Sequence, residues 1–189
     1  RDLRLEPLSA SAVTGTAIQN RNITGIKEFS SFIPNLFMPD YGSKLTSPVY
    51  IRGIGSKINA PSVGLYVDGI PYFEKSAFDF DFNEVDRIEV LRGPQGTLYG
   101  RNTMGGIINV YTKSPLKYEG TNVWLSNGSY GYRDYALSHY KKIGEKFGYA
   151  ISGDYRNSDG YFTNLFTDKK ADDMKSGSAR SRLEWKPQK

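Results

Sequence analysis

The chain has 189 residues, no cysteine and a single histidine, which excludes disulfides, thiolate metal sites and any histidine-based metal or catalytic cluster. Its net charge of +5 comes from 25 Lys and Arg scattered among 20 Asp and Glu, with no long basic run that would point to nucleic acid. No apolar stretch is long enough for a transmembrane helix, but a membrane barrel, whose strands are short and only alternately apolar, stays open.

With 20 Gly and 14 Tyr, the composition suits short strands and tight turns better than a helix bundle. Arg1 reads as a processed or internal start. Residues 11–14 read as a short strand followed by a helical turn. Thr24 is a candidate N-cap for a helix to about Phe32, with Ile26, Phe29 and Ile33 on one face and Pro34 ending it. Residues 49–52, 64–67 and 85–91 are strand candidates, each followed by Gly or a turn, and Asp68-Gly69 is a tight-turn signal. Residues 107–112 form a fourth strand, so this first part is a small α+β domain with its own core.

Near Pro115 the pattern changes. Phe147, Tyr149, Ile151, Gly153 and Tyr155 alternate with Gly148, Ala150, Ser152 and Asp154. Ala179, Ser181, Leu183 and Trp185 alternate with Arg180, Arg182 and Glu184. A period of two puts an apolar face opposite a small or charged face. Residues 121–127 and 133–140 fit the same scheme, giving four strands joined by residues 128–132, 142–146 and 156–175. Such a meander fits either an outer-membrane barrel or a soluble sheet with one wet face.

Four motifs in the first part carry more information. They are Val49-Tyr50-Ile51-Arg52-Gly53; Leu65-Tyr66-Val67-Asp68-Gly69-Ile70-Pro71; the long run from Val85 to Gly100 containing Arg92-Gly93-Pro94-Gln95-Gly96; and Gly105-Gly106-Ile107-Ile108-Asn109-Val110. The glycines Gly53, Gly69, Gly93, Gly96 and Gly100 allow positive φ or close backbone approach, and Pro94 stiffens its turn. No Lys follows them as a phosphate loop requires. Asp79, Asp81, Glu84 and Asp86 form an acidic cluster without EF-hand spacing, more readily a solvated loop than a cation site.

In order and spacing these motifs resemble the plug domain of TonB-dependent outer-membrane receptors. The likeness covers about residues 7–115 and continues more loosely to Trp185. It implies an α+β plug domain with a mixed sheet and short helices in residues 1–116, then the first antiparallel strands of a large transmembrane β-barrel in residues 117–189. Such barrels have about 22 strands, so the rest is expected after Lys189, and the TonB-contacting segment before Arg1. A signalling or carboxypeptidase-like extension ahead of the plug also stays open.

The resemblance further implies active import without covalent chemistry, and no cofactor, resident metal or nucleic acid. A scarce substrate (ferric siderophore, cobalamin, haem or glycan) binds outside, and the TonB–ExbB–ExbD complex pulls the pore-occluding plug. Outer-membrane lipids are the surroundings, and a surface lipoprotein is an open partner. Plug arginines of these motifs pair with acidic residues of the barrel wall, making Arg52, Arg92 and Glu89 the candidate plug–barrel latch. Asp68, Asp86 and Glu89 are the alternative partners inside the plug. Gly53, Asp68, Gly69, Gly93, Pro94, Gly96, Gly100, Gly105 and Gly106 are the motif turns. The apical loops, residues 40–47, 55–62 and 72–80, offer Tyr41, Lys44, Lys57, Asn59, Tyr72, Phe73 and Lys75 to a large anionic or chelate ligand. A soluble plug-like periplasmic binding or signalling module is the alternative. An enzyme built on the acidic cluster lacks a recognisable carboxylate pair.

Overall fold

The computed structural model describes residues 9–23, 25–39, 48–56, 61–73, 82 and 84–187. The chain divides into two compact units, residues 1–112 and 113–189. The first contains, in order, β1 (Ser9–Thr14), α1 (Gly15–Asn20), α2 (Ile26–Ser30), β2 (Leu36–Phe37), β3 (Tyr50–Ile51), β4 (Ile54–Gly55), β5 (Val63–Val67), β6 (Ile70–Tyr72), β7 (Val85–Arg92), α3 (Gly96–Tyr99) and β8 (Gly106–Thr112). A five-stranded sheet runs β1-β7-β8-β5-β6, and a small second sheet runs β2-β3-β4. The β5–β8 pair is parallel and the other pairs of the large sheet are antiparallel, so the sheet is mixed.

Period-two alternation decides which face is the core. Ile88 and Val90 of β7 stand opposite Val110 and Ile108 of β8, and Leu65 of β5 is in register with Ile108. All five are buried, together with Ile18 of α1 and Ile26 and Phe29 of α2. Each such side chain contributes about 1.5–3 kcal/mol on leaving water. Phe29 meets Phe82 edge to face at 6.0 Å, a geometry favoured by the ring quadrupoles.

The helix face Ile26, Phe29, Ile33 is buried as its spacing predicts. Its ends differ from the sequence reading. The N-cap is Gly25, with no side-chain cap bond, and Thr24 lies outside the described residues. The helix stops at Ser30, where Ser30 and Ser31 hydroxyls donate to the Lys27 and Glu28 carbonyls. Short polar side chains that bond back to the preceding turn compete with helix continuation. The expected strand at 49–52 also shrinks to two residues, because Arg52 belongs to the turn joining β3 to β4.

The second unit contains β9 (Gly120–Asn127), β10 (Arg133–Ile143), β11 (Phe147–Ser158), β12 (Thr163–Asn164), β13 (Lys169–Lys170) and β14 (Met174–Trp185). The four long strands form an antiparallel sheet in the order β14-β11-β10-β9. The connection at residues 128–132 is as expected, whereas the later strands extend further than sequence alternation indicated and shorten the other two connections to residues 144–146 and 159–173. The first and last of these lie at one end of the sheet, because Arg133 is in register with both Asn127 and Asn157, and Asn157 with Lys175. The tight turn is at the other end. Short turns at one end and longer loops at the other is the arrangement of outer-membrane barrels. The last loop is itself ordered as the β12–β13 hairpin, which the sequence reading missed. Asp172 accepts the Tyr161 and Phe162 N–H groups at 3.0 and 2.9 Å, and Asn164 accepts those of Phe166 and Thr167.

The two faces of this sheet are inverted relative to a soluble protein. The register puts Leu125 beside Tyr135, Tyr135 beside Tyr155, and Val123 beside Leu137, and this apolar face is bare. Leu125 is 70% exposed, Leu183 74% and Trp185 70%. The polar face is the covered one. Asp134, Ser138 and Tyr140 are buried, Asp134 pairs with Arg156 at 3.4 Å, and Tyr118 reaches Asn122 (2.8 Å) while its ring meets Tyr140 edge-on. A bare apolar band of this extent is unusual on a soluble protein and is what a lipid-facing barrel wall presents. Strands β11 and β14 have 12 residues each, and about 9–11 tilted residues cross a bilayer. No helix among the described residues is long and apolar enough to cross a membrane, which says nothing of a barrel.

Candidate functional site

The motif residues build turns. Asp68 and Gly69 have φ of 51° and 83°, and Arg52 and Gly53 have 53° and 79°. Two successive positive φ values define the type I′ hairpin turn, which Asp-Gly adopts readily and an arginine rarely does. Asp68 is tied down further: its carboxylate accepts from the Thr112 N–H (2.8 Å) and the Thr112 hydroxyl (2.6 Å). The turn after β5 is thereby fastened to the end of β8. Gly93 (φ 106°), Gly100 (74°) and Gly106 (142°) also hold positive φ. At Gly106 any Cβ would drive into the Leu91 carbonyl, so only glycine opens β8 there. Gly96 begins α3 after Pro94 and Gln95, and the Gly105 N–H donates to Ser62 O.

Arg92 ends β7. Its Nε donates to Ser9 Oγ and one terminal nitrogen to Pro34 O, both at 3.0 Å. The Arg52 N–H donates to Asn35 O at 2.8 Å, and its guanidinium lies alongside Gly93. Both arginines therefore meet the Pro34–Asn35 segment at one end of the large sheet. Neither has a carboxylate partner among the described residues. Glu89 is held instead by Arg87 at 2.8 Å, and Arg87 also reaches Asp86 at 3.2 Å and lies 3.8 Å over the Tyr111 ring. Burial depresses the Arg87 guanidinium, but its bonds and charge contact with Glu89 and Asp86 more than offset this, and the net shift is upward. Asp68 is engaged with Thr112, so none of the three acids named as internal alternatives meets Arg52 or Arg92.

On the sheet face away from the main core, α3 packs Tyr99 against Tyr66 (rings 5.0 Å apart). Tyr66 Oη donates to Tyr99 O at 2.5 Å, and Asn109 Nδ2 to Tyr99 Oη at 3.4 Å. Burial first, and then Tyr99, raises the Tyr66 phenol. Burial and the Glu89 charge raise Tyr111. This tyrosine seam was not anticipated; the alternation that puts Tyr66, Asn109 and Tyr111 off the core face was its available signal.

Of the expected apical residues, Tyr41, Lys44, Lys57, Asn59 and Lys75 lie outside the described residues, as do Asp79 and Asp81 of the acidic cluster. Tyr72 and Phe73 are 43% and 44% exposed. They leave β6 at the end of the sheet that carries Arg92 and Gly106, since Tyr72 is in register with Leu65 and Val63 with Gly106. Arg101, not singled out from the sequence, stacks on Phe73 with its guanidinium carbon 4.9 Å from the ring centre. No group of three His, Cys, Asp or Glu among the described residues is placed to hold a metal ion.

Comparison with known proteins falls on the same residues. The family described as TonB-dependent Receptor Plug Domain matches residues 2–107. The pesticin receptor of Yersinia pestis is 34% identical over 110 residues, covering 57% of this chain and 16% of the receptor. The vitamin B12 transporter BtuB of Vibrio cholerae is 36% identical over 103 residues, 52% of this chain and 16% of that protein. The chain thus spans about a sixth of these curated relatives. Among solved structures, the ferric yersiniabactin uptake receptor FyuA from Yersinia pestis superposes with a TM-score of 0.81 at 25% identity, over 97% of this chain and 30% of that one.

Proposed function

This chain belongs to the TonB-dependent receptor plug domain family, and on that premise we propose that it is the plug and opening barrel strands of an outer-membrane importer. That importer binds a metal chelate or cobalamin outside the cell and moves it to the periplasm with energy delivered by TonB, the plug occluding the pore at rest. The observation that carries the reading is the inverted sheet of the second unit: an exposed apolar face and a buried polar one suit lipid outside and a plugged lumen inside. Relatives named for siderophore and vitamin B12 uptake support that substrate range.

The test is uptake of labelled ferric yersiniabactin, ferripyoverdine and vitamin B12 by cells whose only receptor is the full-length protein. Uptake of one of them, abolished by deleting TonB or collapsing the proton gradient, is expected. A protein recovered in the soluble periplasmic fraction without detergent would sink the reading in favour of a soluble module.

Within it, Arg52, Arg92 and Glu89 are the proposed latch. A guanidinium bound, among the described residues, to a hydroxyl and a carbonyl, as Arg92 is, keeps donors for a wall carboxylate. Replacing Arg92 with Ala should speed hydrogen exchange across the plug of the full-length protein; exchange like wild type would remove Arg92 from the latch.

A further inference from the structure

We infer that the β12–β13 hairpin is a lipid anchor, whose tip residues Leu165 and Phe166 seat in the outer-leaflet lipid beside the barrel instead of standing in water or closing over the pore mouth. The inference rests on the membrane-barrel part of the importer reading and goes beyond it, because it gives a partner to a loop outside the membrane strands.

The tip is held out by a braced frame. The Asp168 N–H donates to Asn164 O at 2.8 Å and the Ala171 N–H to Phe162 O at 3.0 Å. The Asn164 and Asp172 side chains accept four further backbone N–H groups of this loop. In that frame Leu165 is 97% exposed and Phe166 96%. Two adjacent, fully exposed apolar side chains on an ordered loop point to an apolar partner. Tyr161 and Phe162 at the root are exposed as well, and Lys169 and Lys170 follow on the returning strand. Rings at headgroup depth and lysines whose stems reach lipid phosphates are what a membrane-interface segment carries.

The hairpin root continues the bare apolar face of the sheet. Asn157 follows Tyr155 on that face and donates through Nδ2 to Gly131 O, while the Asp159 N–H donates to Tyr130 O at 2.8 Å. Tyr130 and Tyr161, both exposed, stack with ring centroids 4.4 Å apart. Their height fits a membrane boundary. Phe147 is in register with the exposed Trp185 at the opposite end of the face. From Phe147 to Asn157 the strand runs about 33 Å. At a tilt of about 40° this spans roughly 25 Å, the height of a barrel's apolar band between its two aromatic girdles. The tyrosine pair therefore falls at the outer girdle, and the hairpin leaves the sheet at the level of the lipid headgroups.

The experiment places the environment-sensitive fluorophore NBD on single cysteines in the full-length protein, with any cysteine outside residues 1–189 replaced. The protein is reconstituted into phosphatidylcholine vesicles carrying doxyl-labelled acyl chains, or into unlabelled vesicles with iodide on both sides. L125C reports the bare sheet face, and E145C reports water in the turn at the opposite end, where the Glu145 side chain is 88% exposed. L165C, at a side chain that touches little else, leaves the fold intact, and F166C repeats the reading. L165C and F166C should be quenched several-fold more by doxyl lipid than by iodide, as L125C is, with E145C showing the reverse. Quenching of L165C by iodide as strong as that of E145C overturns the anchor, because the tip then stands in water. Protection of L165C from both quenchers also overturns it, because protein then covers the tip. L165C quenched by iodide while L125C is quenched by lipid leaves the barrel wall standing; L125C quenched by iodide alone removes the wall and the anchor together.

Discussion

Removing the Asp68 carboxylate is the sharpest probe of how the motif turns hold the plug together. In Asp68→Ala the Thr112 N–H and hydroxyl lose acceptors at 2.8 and 2.6 Å. Hydrogen bonds to a charged acceptor are worth about 1.5–3 kcal/mol each when buried. Asp68 is only half-buried, so about 1 kcal/mol each is the appropriate share. Alanine must also hold the left-handed backbone, φ 51°, at a cost of about 1 kcal/mol. The sum, about 3 kcal/mol, corresponds to roughly a hundredfold faster local opening. Hydrogen-exchange mass spectrometry on the full-length protein reads it in peptides spanning the β5–β6 turn and the end of β8. Asp68→Asn, which keeps one acceptor oxygen and tolerates positive φ, should show a smaller acceleration. Exchange of those peptides in Asp68→Ala within about threefold of wild type would refute the account.

Val123→Lys places a charge on the bare apolar face, where Val123 is 63% exposed; a lysine facing the membrane midplane costs about 2–4 kcal/mol, so yield in the outer-membrane fraction should fall, whereas a soluble sheet would tolerate it. Tyr66 and Tyr111 have phenol pKa values raised above 10.0, so the fold favours their neutral forms. That stabilisation is complete below the unfolded value and is lost as pH rises through the folded values. In an ultraviolet phenolate titration, Tyr66→Phe should therefore remove part of the late-titrating absorbance; loss of an early component instead would contradict the burial of Tyr66.

Much of the plug was readable because its signals are local. Asp68-Gly69 specifies a type I′ turn by backbone sterics alone, and strands β7 and β8 follow from runs of branched residues bounded by glycine. In the second unit, alternation at period two located all four long strands, since a slip of one residue would exchange the two faces. Elements of two residues, β2, β3 and β4, carry too little sequence to signal themselves, and Gly25 caps a helix without a side chain that could announce it.

What the sequence by itself determined is where turns, strands and the family motifs fall, because those depend on residues close along the chain. Tertiary structure alone decided the strand order β1-β7-β8-β5-β6, the fastening of Asp68 to Thr112, the pairing of Asp134 with Arg156, and the seat of Arg101 on Phe73. It also decided which side of the second sheet is covered. Alternation gives two faces but not which of them meets protein; only packing across the polar face, by Tyr118 and its neighbours, leaves the apolar one bare.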